Sequence, residues 1–144
     1  MATEVPKRIH LLGNGEHEEG AAAGAITPGD LCKMNSDGDF VVHDGAGGWA
    51  ERLYALEDAL QGRTIDDAYA SGETVSLVKA LPGDHIYARL AAGESADPSE
   101  FLTSNADGTL KVASSSDIRI AVPLETLDLS DTGDTVGRIK VRVI

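Results

Sequence analysis

Three short strings in this chain hold side chains at spacings that chemistry uses. His17-Glu18-Glu19 sets an imidazole beside two carboxylates, which are donors suited to a transition metal. A zinc-binding His-Glu-x-x-His helix needs a second His four residues on, and position 21 is Ala21, so the string reads as a solvated acidic segment. Asn35-x-Asp37-x-Asp39 has the opening spacing of a calcium loop but lacks the Gly at its sixth position and the distal Glu. Gly62-Arg-Thr-Ile-Asp-Asp-Ala-Tyr69 offers a carboxylate, Asp66, three residues before an aromatic ring, Tyr69. The chain has no Gly-x-Ser-x-Gly, no phosphate loop and no Cys-His pairing, and His10, His17, His43 and His85 are scattered.

The elements that must position these residues are announced by a repeat. Pro28–Val42 recurs as Pro98–Val112 at a constant offset of 70 residues without a gap. Pro28, Asn35, Asp37, Gly38 and Val42 are identical to Pro98, Asn105, Asp107, Gly108 and Val112. Each copy runs turn, apolar pair, Asn-x-Asp-Gly, apolar strand. That is a β-hairpin in which Asp-Gly supplies the positive φ of a tight reversal. A second Pro-Gly-Asp, at 82–84, matches Pro28-Gly29-Asp30 and predicts a strand pair from Thr74–Leu81 and His85–Leu90. Ala55-Leu-Glu-Asp58 has a counterpart in Pro123-Leu-Glu-Thr126, and residues 51–57 read mainly as strand. The expected fold is therefore all-β with short helical turns. It is one compact β-barrel or β-tulip-like domain over residues 23–144, built from two related hairpin halves.

Composition narrows the function. At 144 residues the chain can bury a real core without staples, and with 4% aromatics that core must be Val, Leu, Ile and Ala. A formal net charge of −12 argues against nucleic acid and against an anionic membrane. No window approaches a membrane span. The one cysteine, Cys32, cannot form an internal disulfide and aligns with Leu102 in the repeat, so it reads as a small buried apolar residue. Met1–Arg8 has no apolar run of a signal peptide, and the expectation is a cytoplasm-like place of synthesis.

Residues 1–22 read as a flexible N-terminal arm, polar and Gly-rich apart from a short strand at 8–12. Its candidate contact residues are Lys7, Arg8, Ile9, Leu11 and Leu12. Trp49, the sole Trp, sits in the Gly-rich loop 44–49 and is a second candidate contact. The closing strand alternates cleanly: Ile139, Val141 and Val143 face one way, and Arg138, Lys140 and Arg142 the other. That basic stripe must meet acids of its own chain or a neighbour's.

Two resemblances follow from these residues. Ile65-Asp66-x-x-Tyr69 resembles the uridine-binding hairpin of trimeric dUTP pyrophosphatases. The resemblance implies Asp66 as the water-activating carboxylate and Tyr69 as the stacking ring. The Arg-Ser-Gly-Leu phosphate motif and the Gly-rich tail of that family are missing, and only Arg63 stands nearby. Over 26–143 the chain resembles the capsid decoration, or cement, proteins of tailed bacteriophages. The resemblance lies in Ile26-Thr-Pro-Gly-Asp-Leu31, the Asn-x-Asp-Gly hairpin, Tyr54–Gly62 with Thr64–Tyr69, Gly72-Glu-Thr-Val75, Pro82-Gly-Asp84, Ala88–Glu94 and the Arg-Ile-Lys-Val-Arg-Val strand. It implies a non-catalytic virion protein, often a homotrimer, that binds the major capsid protein on the outer surface of an expanded shell and stabilises it. No cofactor and no metal are expected. A carbohydrate- or cell-surface-binding module is the third reading, with Trp49 and three Tyr as its thin aromatic supply.

Overall fold

The computed structural model describes residues 5–144. In chain order the strands are β1 (His10–Leu12), β2 (Glu16–Ala21), β3 (Leu31–Met34), β4 (Phe40–Val42), β5 (Leu53–Ala55), β6 (Thr74–Lys79), β7 (His85–Leu90), β8 (Ser95–Ala96), β9 (Leu102–Ser104), β10 (Leu110–Val112), β11 (Ala121–Pro123), β12 (Leu127–Asp128) and β13 (Gly137–Val143). Among the described residues the only helix is one 3-10 turn at Ala59–Gln61.

Both halves of the repeat form the expected hairpins. β3 pairs with β4 and β9 with β10, both antiparallel. Each reversal is closed by an Asn amide bonded across the turn, Asn35 to the Asp39 carbonyl and Asn105 to that of Thr109. Gly38 and Gly108 take φ of +84° and +87°, where a β-carbon would be strained. The duplication extends well beyond the hairpins. The first half is a ring, β2-β6-β5-β3-β4, closed by a parallel bridge from Ala22 to Phe40. The second is β7-β13-β11-β9-β10, closed by the parallel pairing of Leu90 with Leu110. Phe40 and Leu110 are the same position of the repeat. So are Ile26, bridged to Tyr69, and Ala96, paired with Leu127. The molecule is thus two five-stranded barrels of identical topology side by side. Ring closure leaves few strand edges unpaired.

The structure corrects the expected pair β6–β7. These strands do not pair; the chain crosses from one barrel to the other at Pro82-Gly83-Asp84. β6 already has β2 and β5 as neighbours, and β7 has β13 on one side with β1 and β10 on the other. It also corrects the arm. Residues 9–21 belong to the body: β1 adds to the second barrel along β7, and β2 is a six-residue strand of the first. The apolar content of 1–22 is too small for a unit that folds alone, yet pairing with β6 and β7 satisfies its backbone. Residues 1–4 of that arm lie outside the described residues.

Alternation along each strand assigns the core. In the first barrel Cys32, Phe40, Leu53, Val75 and Leu77 point inward with Tyr69. Burial pushes the Cys32 thiol up, far from reactivity at neutral pH. Their neighbours Leu31, Tyr54 and Val78 point outward and belong to one buried cluster with Ile86, Ala88, Leu90 and Val141 of the second barrel. A shared apolar seam therefore joins the barrels. Three arginines cross it. Arg89 reaches Asp30 at 2.7 Å. Arg138 reaches Asp66 at 2.9 Å and the carbonyls of Pro28 and Ile65. Arg52 reaches the carbonyls of Arg119 and Ile144.

Two buried tyrosines make a controlled pair. The Tyr69 hydroxyl donates to the Leu56 carbonyl at 2.6 Å, whereas the Tyr54 hydroxyl has no partner among the described residues. Tyr69→Phe is expected to lower stability by about 1–2 kcal/mol and Tyr54→Phe to leave it equal or higher. Urea unfolding of the two variants checks this; equal losses would contradict the assigned bonding.

Candidate functional site

The outer face of β13, β7 and β1 gathers most of the residues singled out above. On β13, Arg138, Lys140 and Arg142 stand opposite Arg89, Tyr87 and His85 of β7. Leu12 of β1 stands opposite His85 on the other side. Residues 5–8 run over this face, so Lys7, Arg8 and Leu11 line one open groove with Lys140. Val5 connects it to a second groove holding Arg89 and Arg138. Lys7, Arg8, Arg89, Arg138, Lys140 and Arg142 are half of the chain's 12 Lys and Arg. In a molecule of charge −12 such a cluster makes a local positive field. Asp30 and Asp66 neutralise Arg89 and Arg138. Among the described residues, no carboxylate lies within ion-pair distance of Lys7, Arg8, Lys140 or Arg142. Apolar side chains border the charges: Val5 is 68% exposed, Leu12 58%, and Leu60, on the 3-10 turn next to the groove, 98%.

Several expected contacts are placed elsewhere. Ile9 is fully buried in the seam, its amide donating to Glu57 and its carbonyl accepting from Tyr87. It is a core residue and leaves the contact set. Arg138 is consumed by the seam, because a guanidinium with five donors can bind two carbonyls and a carboxylate at once. Trp49 is exposed, beside a shallow groove formed with Lys33, Met34 and Glu51, apart from the cationic face. Sequence reasoning missed Leu60 and Val5; an apolar residue in a short polar turn was the available signal.

The enzyme-like strings do not assemble. Tyr69 is 1% exposed with its hydroxyl spent on Leu56, so the ring cannot stack on a ligand. Asp66 is held by Arg138. Asn35 turns its Oδ1 onto the amides of Asp37 and Asp39, which makes it a turn-former rather than a calcium ligand. Tertiary structure does create one Ser-His pair. Ser104 Oγ lies 2.7 Å from His43 Nδ1, and His43 Nε2 donates to the Trp49 carbonyl at 2.8 Å, which fixes the tautomer. Ser104 is fully buried, so the pair fastens a loop to β9 and meets no substrate.

The pair of rings, one of them carrying a cationic, apolar-rimmed face, defines the molecule as a tandem-barrel β protein. No protein-family model matches the chain, and no curated protein is significantly similar to it. The fold is nevertheless shared with a solved structure, the N base of the head fibre gp8.5 of bacteriophage phi29. The two superpose with a TM-score of 0.59 over 90% of this chain and 93% of the other, at 9% sequence identity.

Proposed function

We propose that this protein is a structural component of a bacteriophage head, seated on the outer capsid surface through its cationic face. The observation that carries the reading is the fold shared with a head-fibre base over nine-tenths of both chains. The surface supports it. Lys7, Arg8, Lys140 and Arg142, bordered by Leu11, Leu12 and Leu60, suit an acidic capsid protein with apolar recesses. The bulk charge of −12 keeps the free protein soluble and off the genome. A homotrimer at threefold points of an expanded shell would turn a modest contact into firm decoration and stabilise the lattice.

The test is co-sedimentation with undecorated, expanded shells. Wild-type protein is expected to pellet with the shells and to be released by salt, since exposed charge pairs are screened within about 10 Å at 0.1 M. The double variant Lys7→Glu/Arg8→Glu is expected to bind roughly tenfold more weakly, because rim charges act on encounter and like charges repel. Deletion should stop at residue 8. Removing residues 9–14 as well would take out Ile9, β1 and the turn that Asp84 holds. Shells that ignore the wild-type protein would overturn the virion reading; equal binding by the double variant would overturn the face.

A further inference from the structure

We infer that His10 and His17 form a binding site for a first-row divalent cation of the zinc type, with Asp84 orienting the first imidazole. His10 lies on β1 at the edge of the second barrel and His17 on β2 of the first. The turn between them folds the chain back so that the rings face each other. His10 Nδ1 is 3.4 Å from His17 Nε2, with ring centroids 5.6 Å apart and planes at 61°. Metal–nitrogen bonds of about 2.0–2.1 Å in a tetrahedral site put two ligand nitrogens about 3.3 Å apart. The two nitrogens therefore already stand at the edge length of such a site. For both to ligate, the two rings remain neutral, His10 with its hydrogen on Nε2 and His17 with its hydrogen on Nδ1, so the hydrogen between the facing nitrogens moves to a far ring nitrogen and the ion takes its place.

The groups behind the pair support the same assignment. His10 Nε2 is buried and lies 3.3 Å from Oδ2 of Asp84, within ion-pair distance but without an aligned hydrogen bond. A carboxylate behind a ligating imidazole favours the proton on that nitrogen and turns the opposite lone pair toward the metal. Asp84 cannot swing away, because the amides of Asn14 and Gly15 hold its two oxygens at 3.2 and 3.0 Å. In front of the pair is an open groove of about 620 Å³ lined also by Glu57, Asp58 and Ser76. It leaves room for water or for a carboxylate of a partner. Among the described residues no three His, Cys, Asp or Glu side chains converge as ligands. The site thus has two protein ligands and open positions, which makes it exchangeable rather than a structural zinc site. Imidazole donors select zinc, copper and nickel over magnesium and calcium.

The site is independent of the virion reading, and the free full-length protein tests it. Isothermal calorimetry with zinc chloride in a non-chelating buffer is expected to give one saturable site per chain, with no response to magnesium. His17→Gln changes an exposed strand residue and should leave the metal-free melting temperature near wild type. It is expected to weaken zinc binding at least about tenfold, while His85→Gln does not. Absence of saturable zinc binding by the wild-type protein overturns the inference, and so does equal affinity in the folded His17→Gln variant.

Discussion

Asp84→Ala is expected to lower stability by about 3 kcal/mol. Asp84 is 3% exposed and sits where the chain crosses from the first barrel to the second. Its carboxylate accepts from the amides of Asn14, Gly15 and Leu81. Its own amide and carbonyl bind Leu81 and Val143. The side chain therefore fixes the β1–β2 turn and the inter-barrel crossing, while the backbone of the same residue ties down the end of β13. Charge-assisted hydrogen bonds of this kind contribute about 1.5–3 kcal/mol each when lost singly, and losses within one network do not add. The turn is packed closely on this side chain: a β-carbon at Gly13, where φ is +118°, would overlap the Asp84 carboxylate. A drop of this size should appear as a melting temperature lower by about 6–12 °C. Asp84→Asn, which keeps acceptor oxygen and shape, should lose less. A melting temperature of Asp84→Ala within a degree or two of wild type would show that the loops do not depend on this residue.

Arg89→Met is the second large effect, and it carries a pH signature. Asp30 is 2% exposed and accepts from the Thr27 amide at 2.8 Å and from Arg89 at 2.7 Å. Burial raises its pKa above the ordinary carboxylate value, and the Arg89 hydrogen bond works against that rise. A carboxyl with a raised folded pKa binds its proton more tightly in the folded state. Its contribution to stability is full below the unfolded pKa of about 3.9 and is lost as pH climbs through the folded value. Without Arg89 the carboxylate is buried beside no cation, and its pKa rises further. Breaking a buried pair from one side costs about 3–5 kcal/mol near neutral pH. The deficit of Arg89→Met against wild type should shrink as pH falls into the carboxylate range. The double variant Asp30→Asn/Arg89→Met should recover much of the loss and show no such dependence. Urea unfolding at several pH values reads both effects; a deficit that stays constant with pH would mean that Arg89 acts by packing alone.

Both predictions concern the seam, and the seam divides what the sequence determined from what it could not. The sequence determined the elements. The constant offset between Pro28–Val42 and Pro98–Val112 specified two equivalent hairpins, because Asn-x-Asp-Gly reversals and strand alternation are local properties. The burial of Cys32 and the facing of Ile139, Val141 and Val143 followed from the same alternation. Even the correspondence of Ala55 with Pro123 was readable; these residues take equivalent places in β5 and β11.

Tertiary structure decided how the elements join. A Pro-Gly-Asp between two apolar runs is locally the same whether the strands fold back on each other or part into separate barrels, and at 82–84 they part. Long-range pairing set that outcome. Ile9 carried the same ambiguity: in a polar arm it reads as an exposed anchor, and only the second barrel's surface made burial the better place. The cationic face and the facing of His10 with His17 were invisible for the same reason. Their residues lie far apart along the chain or across a turn, and no local pattern encodes which strands become neighbours. Asp66 and Tyr69 show the converse. Their spacing suggested chemistry, but the turn points one at Arg138 and the other into the core. Sequence spacing fixes which side chains are near in the chain, and the packed surface fixes which of them can meet a partner.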